Sequence, residues 1–316
     1  MLKRLRKLSL GGVRVPGGLN TFIGMLLSLS ILEDIVFPDL FSIDVDSITG
    51  CFKALKSLGN LRSLDLRHTE IRESITGALA EVLPSLQLLE KVDLNFYLVD
   101  DRRKSLLDTL GKLRYLKEFS AKGCIENADI EAFAYALSSL PLLGKLSFSA
   151  KGLINTEHVG QLYAAIGKLK YLRKLRLFVL NTASDSEVVA LAKVLPSLEL
   201  LGELKLCCYI YIRSDYQKQV SAAISKLRYL KKLEFACSYT DVKAFTEMLT
   251  SLQLLEKLVL TELNKCRNES EKIKVFIAVG KLKRLKTLEL SGDFKITPTN
   301  VKALARALPS LRVLED

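Results

Sequence analysis

The sequence has no tryptophan, two histidines, six cysteines and seven prolines in 316 residues. Each scarcity excludes something. With only His68 and His158, far apart in the chain, a His/Cys metal centre or a histidine-based catalytic triad lacks candidates. Cys51, Cys124, Cys207, Cys208, Cys237 and Cys266 form no CxxC, and six thiols in a chain this long are not a small-domain disulfide framework. They read instead as small buried apolar residues of a reducing compartment. Low proline and glycine exclude collagen-like and mucin-like sequence, and 49% hydrophobic residues exclude disorder. No uninterrupted apolar run reaches membrane-spanning length. The opening MLKRLRK and the following TFIGMLLSLSIL resemble parts of a signal peptide, but both share the phase of the rest of the chain, which a cleaved presequence has no reason to do.

Catalytic motifs are equally scarce. GKL recurs at Gly111, Gly167 and Gly280, yet a phosphate loop needs GxxxxGK followed by Ser or Thr, and leucine follows here. Gly11-Gly12 and Gly17-Gly18 are too isolated for a dinucleotide fingerprint, and His68 reads as a surface turn residue. Asn268-Glu269-Ser270 fits a glycosylation triplet, a pattern common by chance. Neither an enzyme nor a bound cofactor or metal is expected.

What the chain does have is repetition. One version reads LKRLRKLSL, LGNLRSLDL, LGKLRYLKEFSA, IGKLKYLRKLRL, ISKLRYLKKLEF and VGKLKRLKTLEL; another reads LLSLSILEDIVF, LPSLQLLEKVDL, LSSLPLLGKLSF, LPSLELLGELKL and LTSLQLLEKLVL. The two alternate strictly. Their closing LxL pairs begin at Leu8, Ile35, Leu64, Val92, Phe119, Leu146, Leu175, Leu204, Leu233, Leu258 and Leu288, spaced by 25 to 30 residues. Period-2 alternation in each LxL predicts a strand, and stretches such as VGQLYAAIGKL and VKALARALPSL carry apolar residues at helical spacing. Such a unit cannot bury its apolar face alone, so stacking is required. The prediction is a curved α/β leucine-rich-repeat solenoid, with about eleven inner parallel strands and outer helices, as one domain over residues 1–316.

Several finer expectations follow. Thr297 before Pro298, Asp100-Asp101, Ser184-Asp185 and Thr240-Asp241 suit helix starts, and the GKL glycines sit where helices should end. Five places after each LxL start a polar residue should bond the turn; only Thr69, Cys124, Ser238 and Asp293 can do so, which predicts irregular turns elsewhere. The chain starts inside a strand motif and stops at LPSLRVLED, where Leu308, Leu311 and Leu314 set up a twelfth strand. Neither end carries a polar cap, which predicts a segment of a longer protein.

The net charge of +12 has a definite location. The six LxxLxxLxxLxL windows of the first version carry +4, +1, +2, +5, +3 and +3, a total of +18, while the five of the second total −3 and leave −3 for everything else. The surplus therefore predicts a basic rim on alternate rungs, strongest at Lys168, Lys170, Arg173, Lys226, Arg228 and Lys231. Three explanations compete: lysines such as Lys112, Lys168, Lys226 and Lys281 complementing helix dipoles, an acidic protein surface, or nucleic acid. Tyr115, Tyr171 and Tyr229 interleave with the cations as stacking platforms would, but their fixed repeat position predicts structural packing. Alternate strand residues should point away from the core, making Lys174, Arg176, Phe178, Glu203, Lys205, Lys232, Glu234 and Glu289 the candidate binding face.

Repeats of 28 and 29 residues in two alternating versions resemble the ribonuclease-inhibitor type of leucine-rich repeat. Within that type, DSITGCFKALKSL (Asp46 to Leu58), EVVALAKVLPSLELLGELKL and ITPTNVKALARALPSL resemble the C-terminal repeats of NOD-like receptors, in the style of the inflammasome branch containing NAIP. The resemblance implies a cytoplasmic innate-immune sensor whose repeats recognise a ligand or hold the receptor inactive, with a protein partner or the receptor's own other domains bound. The nucleotide-binding and effector domains of such receptors are not in this chain. Ribonuclease inhibitor itself is acidic and cysteine-rich, unlike this sequence. A nucleic-acid-binding solenoid and the substrate-recognition repeats of a ubiquitin-ligase adaptor remain the alternatives.

Overall fold

The computed structural model describes residues 4–15, 19–40, 43–69, 73–96, 103–126, 128–151, 156–180, 185–208, 214–236, 241–261, 268–291 and 297–307. Strand and helix alternate throughout. The first half runs β1 (Lys7–Ser9), α1 (Leu19–Ser28), β2 (Asp34–Val36), α2 (Val45–Leu55), β3 (Ser63–Asp65), α3 (Glu73–Val82), β4 (Lys91–Asn95), α4 (Arg103–Leu110), β5 (Glu118–Ile125), α5 (Ile130–Ser138) and β6 (Lys145–Lys151). The second runs α6 (Thr156–Gly167), β7 (Lys174–Leu180), α7 (Asp185–Val194), β8 (Glu203–Cys208), α8 (Ser214–Ile224), β9 (Lys232–Ala236), α9 (Val242–Ser251), β10 (Lys257–Thr261), α10 (Glu269–Gly280), β11 (Thr287–Ser291) and α11 (Pro298–Ala307). The strands form an eleven-stranded parallel sheet in consecutive order, the arrangement that helical crossovers impose on parallel neighbours.

The LxL spacing fixes the register. Leu8 faces Ile35, Ile35 faces Leu64, Leu64 faces Val92, Val92 faces Phe119 and Phe119 faces Leu146. Farther along, Leu175 faces Leu204, then Leu233, Leu258 and Leu288. Two compact units divide the chain, Met1–Ala150 and Lys151–Asp316. In unit 1 the row Ile35, Leu64, Val92, Phe119 and Leu146 is fully buried, and phenylalanines interlock beside it: Phe37 between Phe22 and Phe52, Phe133 between Phe119 and Phe148. In unit 2 the row Leu175, Leu204, Leu233 and Leu258 is buried in the same way, with Phe235 stacked on Phe245.

Helix starts follow side-chain chemistry. Asp241 accepts from the Ala244 amide at 2.9 Å, and Thr297 accepts from that of Asn300 at 3.2 Å with Pro298 in the first helical place. Asp44 caps α2 at the Ser47 amide, and Asn268 caps α10 at the Glu271 amide, so the glycosylation triplet begins on a capping residue. Asp185 opens α7 as its first residue; the calls on Asp100, Asp101, Ser184 and Thr240 lie outside the described residues.

The GKL glycines do sit at helix ends, but not for the left-handed conformation that C-terminal glycines usually supply. Among the described glycines only Gly12 and Gly123 have positive φ. Gly111 and Gly167 instead permit close stacking of rungs: a Cβ on Gly167 would lie 3.0 Å from the Val194 side chain, and one on Gly111 3.1 Å from the Ala136 backbone. Gly123, at φ +93°, marks a bulge where the β5–β6 register shifts, and a Cβ there would lie 1.8 Å from the Phe96 carbonyl oxygen.

Thr69 fills the polar turn position: it is buried and its hydroxyl donates to the Pro38 carbonyl at 3.1 Å. Ser238 and Asp293 lie outside the described residues, as does the Cys124 side chain. Cys51 and Cys207 are buried thiols, and burial pushes Cys51 up to about 12, which leaves it unreactive. His68 is an exposed turn residue.

Candidate functional site

Alternation along each strand leaves one residue of every LxL on the open face of the sheet. In unit 2 the structure brings most of the expected residues into two small groups. Lys174 pairs with Glu203 at 2.8 Å, and Arg176 approaches the same carboxylate at 4.0 Å. Lys205 pairs with Glu234 at 2.5 Å and lies 5.1 Å from the centre of the Phe178 ring. Glu289 is held by Lys257, a residue the sequence reading did not select, and Lys232 makes no ion pair among the described residues. The face is therefore a preformed mosaic of both charge signs with a basic surplus, its partly buried side chains carried on adjacent strands.

Six further cations were expected along a rim. Lys168, Lys170, Arg173, Lys226, Arg228 and Lys231 are all exposed, and among the described residues none of the six forms an ion pair. Lys168 follows the end of α6 and Lys226 that of α8, as helix-dipole complementation requires. The tyrosines correct an expectation. Packing does not account for Tyr115, Tyr171 and Tyr229, which are 54%, 55% and 59% exposed, because their repeat position lies in the turn before the strand rather than under it.

Unit 1 holds features that the sequence reading missed. From β1 to β5 the residue just before each strand alternates in sign from rung to rung, and the pairs close. Arg6 bonds Glu33 at 2.8 Å; Arg62 and Lys117 both bond Glu90, at 2.6 and 2.7 Å. These cations, Lys117 first, hold the Glu90 carboxyl below the usual carboxylate range. Beside them Lys7 pairs with Asp34 and Lys145 with Glu118, and the charged rows line an open groove of about 630 Å³. Deeper on this face the carboxylates of Asp65 and Asp93 stand in register and nearly buried. Arg67 grips Asp65 with two guanidinium nitrogens, and Lys91 bonds Asp93 at 3.1 Å. Burial pushes the Asp65 carboxyl up, but the bonds from Arg67 outweigh it and hold the group below its ordinary value. The repetition of LDL at Leu64 and VDL at Val92 was the available signal. No cluster of three or more metal-binding side chains occurs among the described residues, and no described helix is long and apolar enough to cross a membrane.

The sequence matches no protein-family model and no curated protein. Solved structures resemble it in shape. The leucine-rich repeat-containing protein LegL7 from Legionella pneumophila aligns at 15% identity and a TM-score of 0.51, covering 96% of this chain and 98% of that one. Rad7, from the yeast Rad7 and Elc1 complex, aligns at 16% identity and a TM-score of 0.56, covering 96% of this chain and 73% of that one. At such identities the likeness carries architecture alone. Together with the register of the eleven strands, it shows the chain to have the α/β leucine-rich-repeat solenoid fold.

Proposed function

We propose that the chain is a non-enzymatic protein-interaction domain that binds through the open sheet face of its repeats. The observation that carries this reading is the mosaic of Lys174, Arg176, Glu203, Lys205 and Glu234, fixed in register on adjacent strands and partly open to solvent. Charges already positioned cost little ordering on association and select a partner of complementary pattern. Rad7 was crystallised in complex with Elc1, so a protein of similar shape does engage another protein.

The finer reading follows the sequence resemblance. The repeats serve a cytoplasmic NOD-like receptor of the NAIP style, where they recognise a ligand or restrain the receptor's other domains. A nucleotide-binding domain encoded beside the repeats supports that reading; an F-box in its place supports a ubiquitin-ligase adaptor. Quantitative affinity capture with the chain and with an Arg176→Ala, Lys205→Ala double variant tests the binding face. A protein recovered by the unaltered chain should fall about tenfold or more in the variant. The thermal midpoint should move by no more than about 2 °C, since such partly exposed pairs contribute only ~0–1 kcal/mol. Equal recovery removes this face from the interface, and recovery of RNA in place of protein favours the nucleic-acid alternative.

A further inference from the structure

Four places before the centre of each strand, on the rim of unit 2, stand Tyr171, Leu200, Tyr229 and Leu254 on successive rungs. The two tyrosines are more than half exposed and Leu200 is 40% exposed, so the position forms an apolar rail rather than part of the core. Cations border it on both sides. Lys170 and Arg228 precede the tyrosines directly, Arg173 and Lys231 follow two places later, and all four are exposed and form no ion pair among the described residues. On the last leucine rung the corresponding place belongs to Glu256, which is bonded to Lys286 and acts on Lys231. We infer that this rail is a docking site for an acidic amphipathic helix of a partner protein.

Three observations select that occupant. Rungs of a parallel sheet are about 4.8 Å apart, close to the 5.4 Å pitch of an α-helix, so an apolar stripe at i, i+4, i+7 and i+11 meets one rail residue per turn. The stripe of an acidic amphipathic helix is bordered by carboxylates, which meet the cations flanking the two tyrosine rungs. Leucine on every second rung suits apolar side chains, whereas a stacking platform for bases needs aromatic faces. Glu199, exposed beside Leu200, strengthens the choice. A uniformly charged polyanion or an anionic bilayer must place negative charge against it, while a helix can carry a neutral or basic residue there.

The inference rests on the reading of the chain as a protein-interaction domain, but on a different surface. A fluorescein-labelled helical peptide with leucine at i, i+4, i+7 and i+11 and flanking glutamates is titrated with the full chain by anisotropy. Single-stranded RNA and phosphatidylserine vesicles serve as parallel probes. The peptide should bind in 50 mM salt with micromolar affinity, and Tyr171→Ala with Tyr229→Ala should weaken it about tenfold or more. Arg176→Ala with Lys205→Ala, on the sheet face, should leave it unchanged. No peptide binding, binding indifferent to the tyrosines, or stronger tyrosine-dependent binding of RNA or vesicles each overturns the inference. The first of these leaves the sheet-face reading standing.

Discussion

Two stretches, β1 to β5 in unit 1 and β7 to β9 in unit 2, repeat the same rung and answer its charges differently. From β1 to β5 in unit 1 the residue before each strand alternates in sign, and Glu33 and Glu90 close pairs with Arg6, Arg62 and Lys117, as Glu256 does with Lys286 near the end of unit 2. From β7 to β9 in unit 2 the place between Arg173 and Lys231 belongs to Gly202, and both cations stay open to solvent, with Glu256 acting on Lys231 only from the far side. The backbone is identical in the two cases: Gly202 donates to the Arg173 carbonyl and accepts from Lys231, as Glu90 does with Arg62 and Lys117. A single residue type at one repeat position thus decides whether the rim is a neutral brace or a free basic edge. In its most basic stretch, a charge surplus spread over alternate rungs becomes a surface because its counter-ion is missing.

The largest effect should come from breaking the rung geometry of unit 1. Gly123→Ala forces a Cβ into the Phe96 carbonyl oxygen on a backbone that L side chains rarely adopt. The expected loss is about 3 kcal/mol or more, read by urea denaturation, and an unchanged midpoint would mean that the bulge relaxes. Unit 2 holds the next effect, at Glu187. That side chain is only 2% exposed and accepts from the Tyr163 hydroxyl at 3.0 Å; burial raises its carboxyl to about 7, and the Tyr163 bond offsets only part of this. The native state therefore keeps a proton that the unfolded chain loses near pH 4.5, so this stability is present below that pH and disappears as pH rises toward 7. The drop should be about 3 kcal/mol across that window, and Glu187→Gln should flatten it. A wild-type stability constant between pH 5 and 7 would contradict the assignment.

The smallest effect in stability is the sharpest on the comparison itself. At Gly202 a Cβ meets only ordinary contacts, 3.8 Å from the Arg173 carbonyl oxygen and 3.9 Å from that of Tyr229. Gly202→Glu should install the unit 1 brace in unit 2, change stability by no more than about 1 kcal/mol and weaken binding of an acidic helix to the rail. Glu90→Gly should do the reverse in unit 1, freeing Arg62 and Lys117. If neither exchange moves salt-dependent binding, the counter-ion does not control the rim.

Local spacing carried most of the fold. Eleven strand centres from Leu8 to Leu288 were legible because an LxL pair between helical stretches is encoded within about a dozen residues. The exposure of the lysines and arginines of alternate rungs was legible for the same reason. What escaped depends on residues nearly thirty positions apart: the Glu90 brace, the side-by-side Asp65 and Asp93, and the Tyr163–Glu187 bond. Glu187 sits in the first turn of α7, where a carboxylate ordinarily suits the helix dipole, and only the neighbouring rung makes it a buried group. The tyrosines were visible but misjudged, since a fixed repeat position says that a residue recurs and not which way it faces.

The alternation of the two repeat versions also limits how such a chain can lengthen or shorten. Loss of the single rung that carries Glu90 would set Arg62 directly beside Lys117, and a duplicated basic rung would do the same to its copy. Like charges on adjacent strands repel, whereas removal of the two consecutive rungs that carry Arg62 and Glu90 would set Glu33 beside Lys117 and keep opposite signs adjacent. The inheritable module of this protein is therefore the pair, about 56 residues long, rather than the single repeat.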